Sequence, residues 1–165
     1  FGIDRKVVEQ VTKAVRKVTD KPVIVKLSPN VTDIVEIAKA VEAGGGDGVS
    51  LINTILGMAI DIHRRKPVLG NIYGGLSGPA VKPVALRMVH QVYKGVNIPI
   101  MGLGGIMTGT DAIEFMMAGA QAVQVGVATM VDPTAISRIA REMGDYVEQY
   151  NLNSITDIVG AVHQG

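Results

Sequence analysis

Two spacings of apolar residues alternate along the chain. Short runs rich in branched apolar residues occur at residues 22–27, 48–52, 98–103 and 122–126. Such runs are typical of buried strands in a parallel sheet. Around them, apolar residues recur every three or four positions with charged residues between, which is the pattern of an amphipathic helix. The alternation predicts an α/β fold.

Helices are predicted before, between and after these strands, at residues 5–18, 32–43, 81–93, 110–118, 132–150 and 154–159. Asn30 or Thr32 can cap the second helix, and Gly44 can end it. Asp132 is expected to cap the fifth helix, with Pro133 at its first helical position.

Residues 53–79 follow neither spacing. The segment holds several glycines and prolines with short apolar pairs between them. A connection of this length inside a compact domain is usually functional. We therefore expect it to contribute to a binding site.

Glycines follow successive strands, which favours a barrel over a doubly wound sheet because the loops of a barrel meet at one face. An internal echo supports repeated units: Thr32-Asp33 opens one helix much as Thr110-Asp111 opens another. A whole (β/α)₈ barrel has eight units in about 250 residues, whereas this chain has 165 residues. We expect the C-terminal half of a TIM (β/α)₈ barrel, strands 5 to 8, as a single partial domain over residues 1–165. The N-terminal half of the barrel would then be absent.

Composition narrows the classes of function. Hydrophobic residues make up 47% of the chain and charged residues 19%, with a net charge of +1, as in a globular protein. The chain has no basic stripe and few aromatic residues, which argues against nucleic-acid binding. It has no cysteine, so disulfides and thiolate metal ligands are excluded within it. No apolar run approaches the ~20 residues of a membrane span, and no signal peptide is visible, so we expect a cytoplasmic protein.

The strongest candidate site is formed by glycines at two neighbouring strand ends. Gly104 and Gly105 follow one strand, and Gly126 and Val127 end the next. Glycine lets backbone N–H groups approach an anion closely, and barrels commonly bind phosphate at this place. The alternative is that these glycines only permit tight turns. Their paired position favours a phosphate site.

Polar side chains occur at the ends of the first two strands. Lys26 interrupts an apolar strand at its carboxyl end, where a barrel directs side chains at a ligand. Either an anionic partner compensates its charge there, or the lysine extends to solvent. Asn53 and Thr54 follow the second strand and could hydrogen-bond a planar polar substrate, although asparagine at a strand end is often only a turn former.

Other candidates have simpler interpretations. The run His63-Arg-Arg-Lys66 could bind an anion, but a solvated loop is favoured. His90 and His163 have no second ligand at metal-binding spacing, so no metal site is expected. Met116 and Met117 are interpreted as core residues.

Six motifs in order resemble dihydroorotate dehydrogenase, and more narrowly its class 1B type, the catalytic subunit of an NAD-dependent two-subunit enzyme. The motifs are Lys26-Leu-Ser-Pro-Asn30, Ser50-Leu-Ile-Asn-Thr54, Gly57-Met-Ala-Ile-Asp61, Gly74-Gly-Leu-Ser-Gly-Pro-Ala80, Lys82-Pro-Val-Ala-Leu-Arg87 and Gly102-Leu-Gly-Gly-Ile106. The resemblance runs from Phe1 to about Pro133 and is weaker beyond it.

The resemblance implies a flavin barrel that oxidises dihydroorotate to orotate in de novo pyrimidine biosynthesis, with FMN as hydride acceptor. Carried over by motif, the residues expected to contact FMN are Lys26, Ile52, Gly78, Gly104, Gly105, Gly126 and Val127. Asn53 and Thr54 would contact the substrate. For class 1B, FAD and a 2Fe-2S cluster would belong to an electron-transfer subunit, and the catalytic subunit would be a homodimer.

One departure from the family pattern concerns the general base. In class 1 enzymes of this family the base is a cysteine on a loop just upstream of the sequence that corresponds to Phe1-Gly2. No catalytic residue is therefore expected in this chain, and the isolated chain should be inactive.

Alternatives remain open at this point. They are a class 1A fumarate-reducing enzyme, the related pyrimidine-reducing dehydrogenase barrel, a flavin-free phosphate-binding TIM barrel, and an inactive half-barrel that pairs with its missing half or another copy.

Overall fold

The computed structural model describes residues 1–164. The strands are β1 (Ile24–Leu27), β2 (Gly48–Leu51), β3 (Ile55–Met58), β4 (Ile60–Asp61), β5 (Lys66–Pro67), β6 (Tyr73–Leu76), β7 (Ile100–Leu103) and β8 (Ala122–Gln124). The α-helices are α1 (Arg5–Arg16), α2 (Ile34–Ala43), α3 (Lys82–Tyr93), α4 (Gly109–Met117), α5 (Val127–Val131) and α6 (Ala135–Gln149). Short 3₁₀ helices cover Pro79–Val81, Ile155–Ile158 and Ala161–His163.

The four predicted strands form one parallel sheet in the order β1-β2-β7-β8. The order follows the chain without reversal, whereas a doubly wound sheet reverses its strand order at a switch point. Helices α2, α3 and α4 connect or follow these strands, as in consecutive units of a barrel. The α/β prediction is confirmed, and the sheet has the arrangement of half a (β/α)₈ barrel.

The two faces of this sheet differ in burial. Leu27, Val49, Leu51 and Ile100 point toward the helices and are at most 2% exposed. Residues alternate along a strand, so the positions between them face the other way. On that second face Ile24 is 49% exposed, and Lys26, Ala122 and Gln124 are also exposed. The hydrophobic core therefore lies between the sheet and its helices, and the face that would line a barrel interior is exposed at β1 and β8 but buried at Gly48 and Ser50 of β2.

Residues 53–79 form a two-stranded antiparallel ribbon, with β3 paired to β6 and β4 paired to β5 near its tip. The sequence predicted a long functional connection here but no strands. Both sides of the ribbon are largely exposed, and Gly57 lies opposite Gly74 in the pairing. Without one buried face, no clean apolar alternation marks the strands.

The predicted start of α2 is wrong by a short distance. Asp33, rather than Asn30 or Thr32, is the N-cap, and its carboxylate accepts a hydrogen bond from Val35 N–H at 2.8 Å. Gly44 ends the helix as predicted.

The predicted start of the long helix at Asp132-Pro133 is also wrong. Helix α6 begins at Ala135 with Thr134 as its N-cap. Asp132 instead ends the short helix α5, and its carboxylate accepts hydrogen bonds from the Thr134 N–H and hydroxyl. Its capping capacity is thus used in the turn that separates the two helices.

The last predicted helix is a 3₁₀ helix, Ile155–Ile158. Ser154 and Asp157 form a reciprocal capping box around its short span. Within residues 1–164, no helix has the length and apolar character needed to cross a membrane.

Candidate functional site

All of the residues expected to contact cofactor or substrate line one cavity of about 300 Å³. It lies at the carboxyl ends of the parallel strands, where the loops of a barrel converge. Those residues are Lys26, Ile52, Asn53, Thr54, Gly78, Gly104, Gly105, Gly126 and Val127. Residues from four of the six motifs, which are scattered along the sequence, therefore line the same cavity.

The double-glycine turn requires glycine on steric grounds. Gly104 and Gly105 have φ angles of +133° and +76°, which side chains rarely adopt. A Cβ placed on Gly105 would lie 2.7 Å from the Gly78 carbonyl oxygen and 3.0 Å from Lys82 N. The turn therefore packs backbone against backbone beside Gly78, which itself has a φ of +86°.

Backbone donors at this end of the cavity are free to bind an anion. The N–H groups of Gly104, Gly105 and Gly126 donate to no acceptor within residues 1–164. Val127 is the first residue of α5, so its N–H has no partner in the helix. A Cβ on Gly126 would have no atom within 4 Å. Two adjacent strand ends thus offer several amides to one anionic group.

Lys26 supplies a positive charge to the same cavity from β1, the strand at the opposite edge of the sheet from β8. Its side chain is exposed on the open face of the sheet and lines the cavity. It forms no salt bridge with a carboxylate in the described part of the chain, in contrast to Lys82. Its exposure agrees with the alternative in which the lysine reaches solvent, and its position leaves the charge available to a ligand.

Asn30 holds Thr54 at the cavity, whereas the Asn53 N–H donates to the Leu27 carbonyl. The Asn30 Nδ2 donates to the Thr54 carbonyl at 3.1 Å, and its Oδ1 accepts from Leu56 N–H at 2.9 Å. Thr54 also contacts Gly75 on the opposite strand of the ribbon, where a Cβ would clash with the threonine side chain. Both site residues are exposed, so their polar groups are accessible to a substrate.

Lys82 lies against the glycine turn and forms a salt bridge with Asp111. Burial raises the pKa of Asp111, but hydrogen bonds from Lys82, Met107 and Thr108 outweigh it and leave the pKa below its ordinary value. Hydrogen bonds to Asp111 and Glu114 raise the pKa of Lys82 above its ordinary value. Both groups are charged at neutral pH.

Three polar or flexible cavity residues were missed by sequence reasoning: Ser77, Gln124 and Met130. Gln124 carried a usable signal, because it is a polar residue in an apolar strand, as Lys26 is. Met130 is 86% exposed at the cavity. Nothing in the local pattern distinguishes it from a core methionine.

The remaining candidates lie elsewhere. Residues 63–66 are exposed at the tip of the ribbon, as predicted for a solvated loop. The rings of His90 and His163 stack at 4.2 Å and do not line the cavity. Across residues 1–164, no three His, Cys, Asp or Glu residues are grouped so that they could hold a metal ion. Met116 is buried and Met117 packs beside it, as predicted for core residues.

Comparison with known proteins identifies relatives over nearly the whole chain. The sequence is 61% identical over 160 residues to the dihydroorotate dehydrogenase B (NAD(+)) catalytic subunit of Alkaliphilus oremlandii, covering 97% of this chain and 53% of that protein. It is 59% identical over 162 residues to the protein of the same name from Alkaliphilus metalliredigens, covering 98% of this chain and 54% of the relative. The protein of the same name from Geobacter sp. (strain M21) is also 59% identical over 162 residues, covering 98% of this chain and 53% of the relative.

The chain spans about half the length of the curated relatives it matches. The sequence model of the dihydroorotate dehydrogenase family matches residues 1–147. That range contains the parallel sheet and every residue of the cavity. The chain therefore belongs to the dihydroorotate dehydrogenase family.

Proposed function

We propose that this chain carries the FMN phosphate site and part of the substrate site of a class 1B enzyme that oxidises dihydroorotate to orotate in pyrimidine biosynthesis. The observation that carries the proposal is the single cavity, which joins free backbone donors at one end to Lys26, Asn53 and Thr54 at the other. The names of the relatives support the same enzyme class.

Three features of the cavity support FMN as its ligand. Its volume of about 300 Å³ is at the lower end of the range of roughly 300–1,000 Å³ for ligand pockets. At Gly105, glycine permits the close packing of the turn against Gly78 and Lys82 that a Cβ would block. Backbone amides suit a phosphate, and the lysine suits an electron-rich ring. Donor type and charge therefore fit the two ends of a flavin mononucleotide.

Each residue has a proposed task. Gly78, Gly104, Gly105, Gly126 and Val127 hold the phosphate end through their backbone. Bound FMN supplies the hydride acceptor, which no amino-acid side chain provides. Lys26 places a positive charge where negative charge develops on reduction. Ile52, which is 3% exposed, forms an apolar wall.

Asn53 and Thr54 are proposed to orient the substrate. A carboxamide and a hydroxyl can both donate and accept hydrogen bonds, which suits the polar edges of a planar pyrimidine. Fixing the substrate beside the flavin contributes to rate by removing orientational freedom before the reaction.

We place the proton acceptor outside this chain. The polar side chains at the described cavity are Lys26, Asn53, Thr54, Ser77 and Gln124, and none is a carboxylate, an imidazole or a thiol. The family resemblance assigns the base to a cysteine upstream of Phe1. The isolated chain is therefore expected to bind ligand groups without turning over dihydroorotate.

The partners follow from the same assignment. The relatives are named as the catalytic subunit of dihydroorotate dehydrogenase B (NAD(+)), which supports a second subunit that passes electrons to NAD. FAD and a 2Fe-2S cluster would reside on that subunit, with the catalytic subunit as a homodimer in the cytoplasm.

Anaerobic flavin reduction tests the proposal. The complete flavoprotein is mixed with dihydroorotate, and loss of the oxidised flavin band in the visible is followed. We expect rapid bleaching, and reoxidation through the second subunit by NAD. A colourless protein that binds phosphate would contradict the proposal and favour a flavin-free barrel, whereas direct reoxidation by fumarate would indicate class 1A.

A further inference from the structure

A charged network lies behind the double-glycine turn, outside the cavity. Lys82 is the first residue of α3, and Asp111 lies in the first turn of α4. The Lys82 Nζ lies 2.6 Å from Asp111 Oδ1 and 2.9 Å from Glu114 Oε2. The Lys82 and Asp111 side chains are only 25% and 15% exposed. Partial burial makes such a charge-assisted pair stronger than a surface one.

The second oxygen of the same carboxylate holds the chain that follows the glycines. Asp111 Oδ2 accepts hydrogen bonds from Met107 N–H and Thr108 N–H, both at 2.9 Å, and from the Thr108 hydroxyl at 3.0 Å. One carboxylate therefore joins the end of the glycine loop to α3 through Lys82.

Lys82 also supports the turn with its own backbone. A Cβ on Gly105 would lie 3.0 Å from both Lys82 N and Lys82 Cβ, so Gly105 rests directly on this residue. A displacement of Lys82 would therefore also displace the glycine turn that packs against it. Neither Lys82 nor Asp111 lines the cavity.

Two residues of α6, Arg138 and Glu142, hold the segment that follows the glycines. Arg138 Nη2 donates to the Met107 carbonyl at 3.1 Å, and Arg138 Nη1 lies 3.0 Å from Glu142 Oε1. Glu142 accepts the Gly109 N–H. Residues 107–109 are therefore held on two sides, while the amides of Gly104 and Gly105 stay free for a ligand.

We infer that Lys82 and Asp111 are positioning residues that hold the double-glycine loop in the conformation that receives a phosphate group. This inference rests on the proposed function for the identity of the phosphate, which is that of FMN. The two residues act through the loop backbone and touch neither ligand nor reacting atoms.

The test compares affinity for FMN with affinity for riboflavin, which lacks the phosphate. Lys82→Met, Asp111→Asn and Lys82→Arg are made in the complete apoprotein, with Lys39→Met as control. Lys39 forms an exposed salt bridge with Glu36 on α2, away from the cavity. Thermal unfolding establishes that each variant is folded at the temperature of measurement. If Lys82→Met does not fold, the near-isosteric Asp111→Asn variant alone is used for the comparison.

We expect the Kd for FMN to rise about tenfold or more in Lys82→Met and Asp111→Asn, with the Kd for riboflavin within about twofold, since loss of a charge-assisted hydrogen bond has this size. Lys82→Arg should recover most of the FMN affinity. Unchanged FMN affinity, or equal losses for both ligands, would overturn the inference.

Hydrogen exchange of residues 104–108 separates this inference from the proposed function. If the wild-type protein binds no flavin, the proposed function fails, and exchange alone then decides the positioning role. Faster exchange in Lys82→Met and Asp111→Asn, but not in Lys39→Met, supports it. Exchange at the wild-type rate in both variants contradicts it.

Discussion

At the scale of single residues, the glycines of the cavity differ in whether the structure requires glycine at their position. Gly105 has a φ of +76° and rests against Gly78 and Lys82. Gly126 has a φ of −114° and open space where a Cβ would be. The backbone conformation and packing therefore require glycine at position 105. At position 126 a Cβ would meet no other protein atom.

Alanine substitutions should separate these two cases. We expect Gly105→Ala to lower the free energy of unfolding by about 1–3 kcal/mol, because it combines a positive φ with a close backbone contact. Gly126→Ala, the matched control, should change it by less than about 0.5 kcal/mol. Chemical denaturation of both variants checks this. Equal stability of the two would show that the turn is not as tightly packed as the contacts indicate.

Replacement of the Lys26 side chain should slow flavin reduction more than it destabilises the fold. It is exposed and forms no salt bridge with the described carboxylates. Lys26→Ala in the complete flavoprotein should change stability by less than about 0.5 kcal/mol. Flavin reduction by dihydroorotate should slow by about 100-fold, as for loss of one group that stabilises developing negative charge.

Stopped-flow measurement of the reductive half-reaction checks this expectation, with Lys21→Ala as a control on an exposed lysine outside the cavity. A wild-type rate for Lys26→Ala would remove Lys26 from the proposed mechanism.

Several cavity residues could be predicted because they carry a local signal. Lys26 interrupts an apolar strand, and the glycines follow strand ends. Gln124 carries the same signal as Lys26 and could have been included. The pairing of Lys82 with Asp111 could not be predicted, because the two are 29 positions apart on different helices. Only the packing of α3 beside α4 brings them together.

At the scale of elements, the ribbon of residues 55–76 depends on one side chain at its base. Asn30 bonds both Thr54 and Leu56, so it sets where the chain leaves β2 and enters β3. The sequence suggested Asn30 only as a helix cap. Its actual role depends on the spatial neighbourhood of the β1 and β2 ends.

We expect Asn30→Ala to raise the KM for dihydroorotate several-fold, because Thr54 and its neighbour Asn53 lose their support. FMN affinity should stay within about twofold, since each such hydrogen bond contributes only ~1 kcal/mol locally. Steady-state kinetics with a parallel FMN titration checks this. A loss of FMN affinity larger than the change in KM would indicate that Asn30 supports the whole cavity.

Helix α3 and the 3₁₀ helix Ala161–His163 meet through stacked rings. His163 Nε2 lies 3.0 Å from the Ala118 carbonyl, and the His90 ring stacks on His163. Burial lowers the pKa of His90 below its ordinary 6.5, and the charges of His163 and Lys94 lower it further. The folded protein therefore binds a proton at His90 less readily than the unfolded chain does.

Stability should consequently fall as the pH drops below about 6.5 and through the lowered pKa of His90. His90→Gln should flatten this part of the stability profile, while above pH 6.5 its pH dependence should match that of the wild type. Thermal melting between about pH 5 and about pH 8 checks this. An equally steep loss in His90→Gln would assign the acid sensitivity to other groups.

Element types were predictable where apolar spacing is regular, as in the four parallel strands and most helices. The residues at which helices and strands begin and end were less predictable. Asp132-Pro133 has the pattern of a helix start, yet Asp132 ends α5 and bonds Thr134 in the turn. Local propensity could not distinguish these two uses of the same carboxylate.

At the scale of the whole molecule, alternating strands and helices correctly predicted a parallel sheet in chain order. The open face of that sheet carries Lys26 and Gln124, and its strand ends carry the cavity. The helix-covered face holds the core. The loops after the neighbouring strands β7 and β8 lie side by side at one end of this half barrel, where we propose that the phosphate binds.

The central claim is that these loops receive the phosphate of FMN. A crystal structure of the complete protein with FMN tests it most directly. We expect phosphate oxygens within hydrogen-bonding distance of the amides of Gly104, Gly105 and at least one of Gly126 and Val127, with the isoalloxazine ring beside Lys26. A phosphate bound elsewhere, with these amides facing only solvent, would contradict the claim.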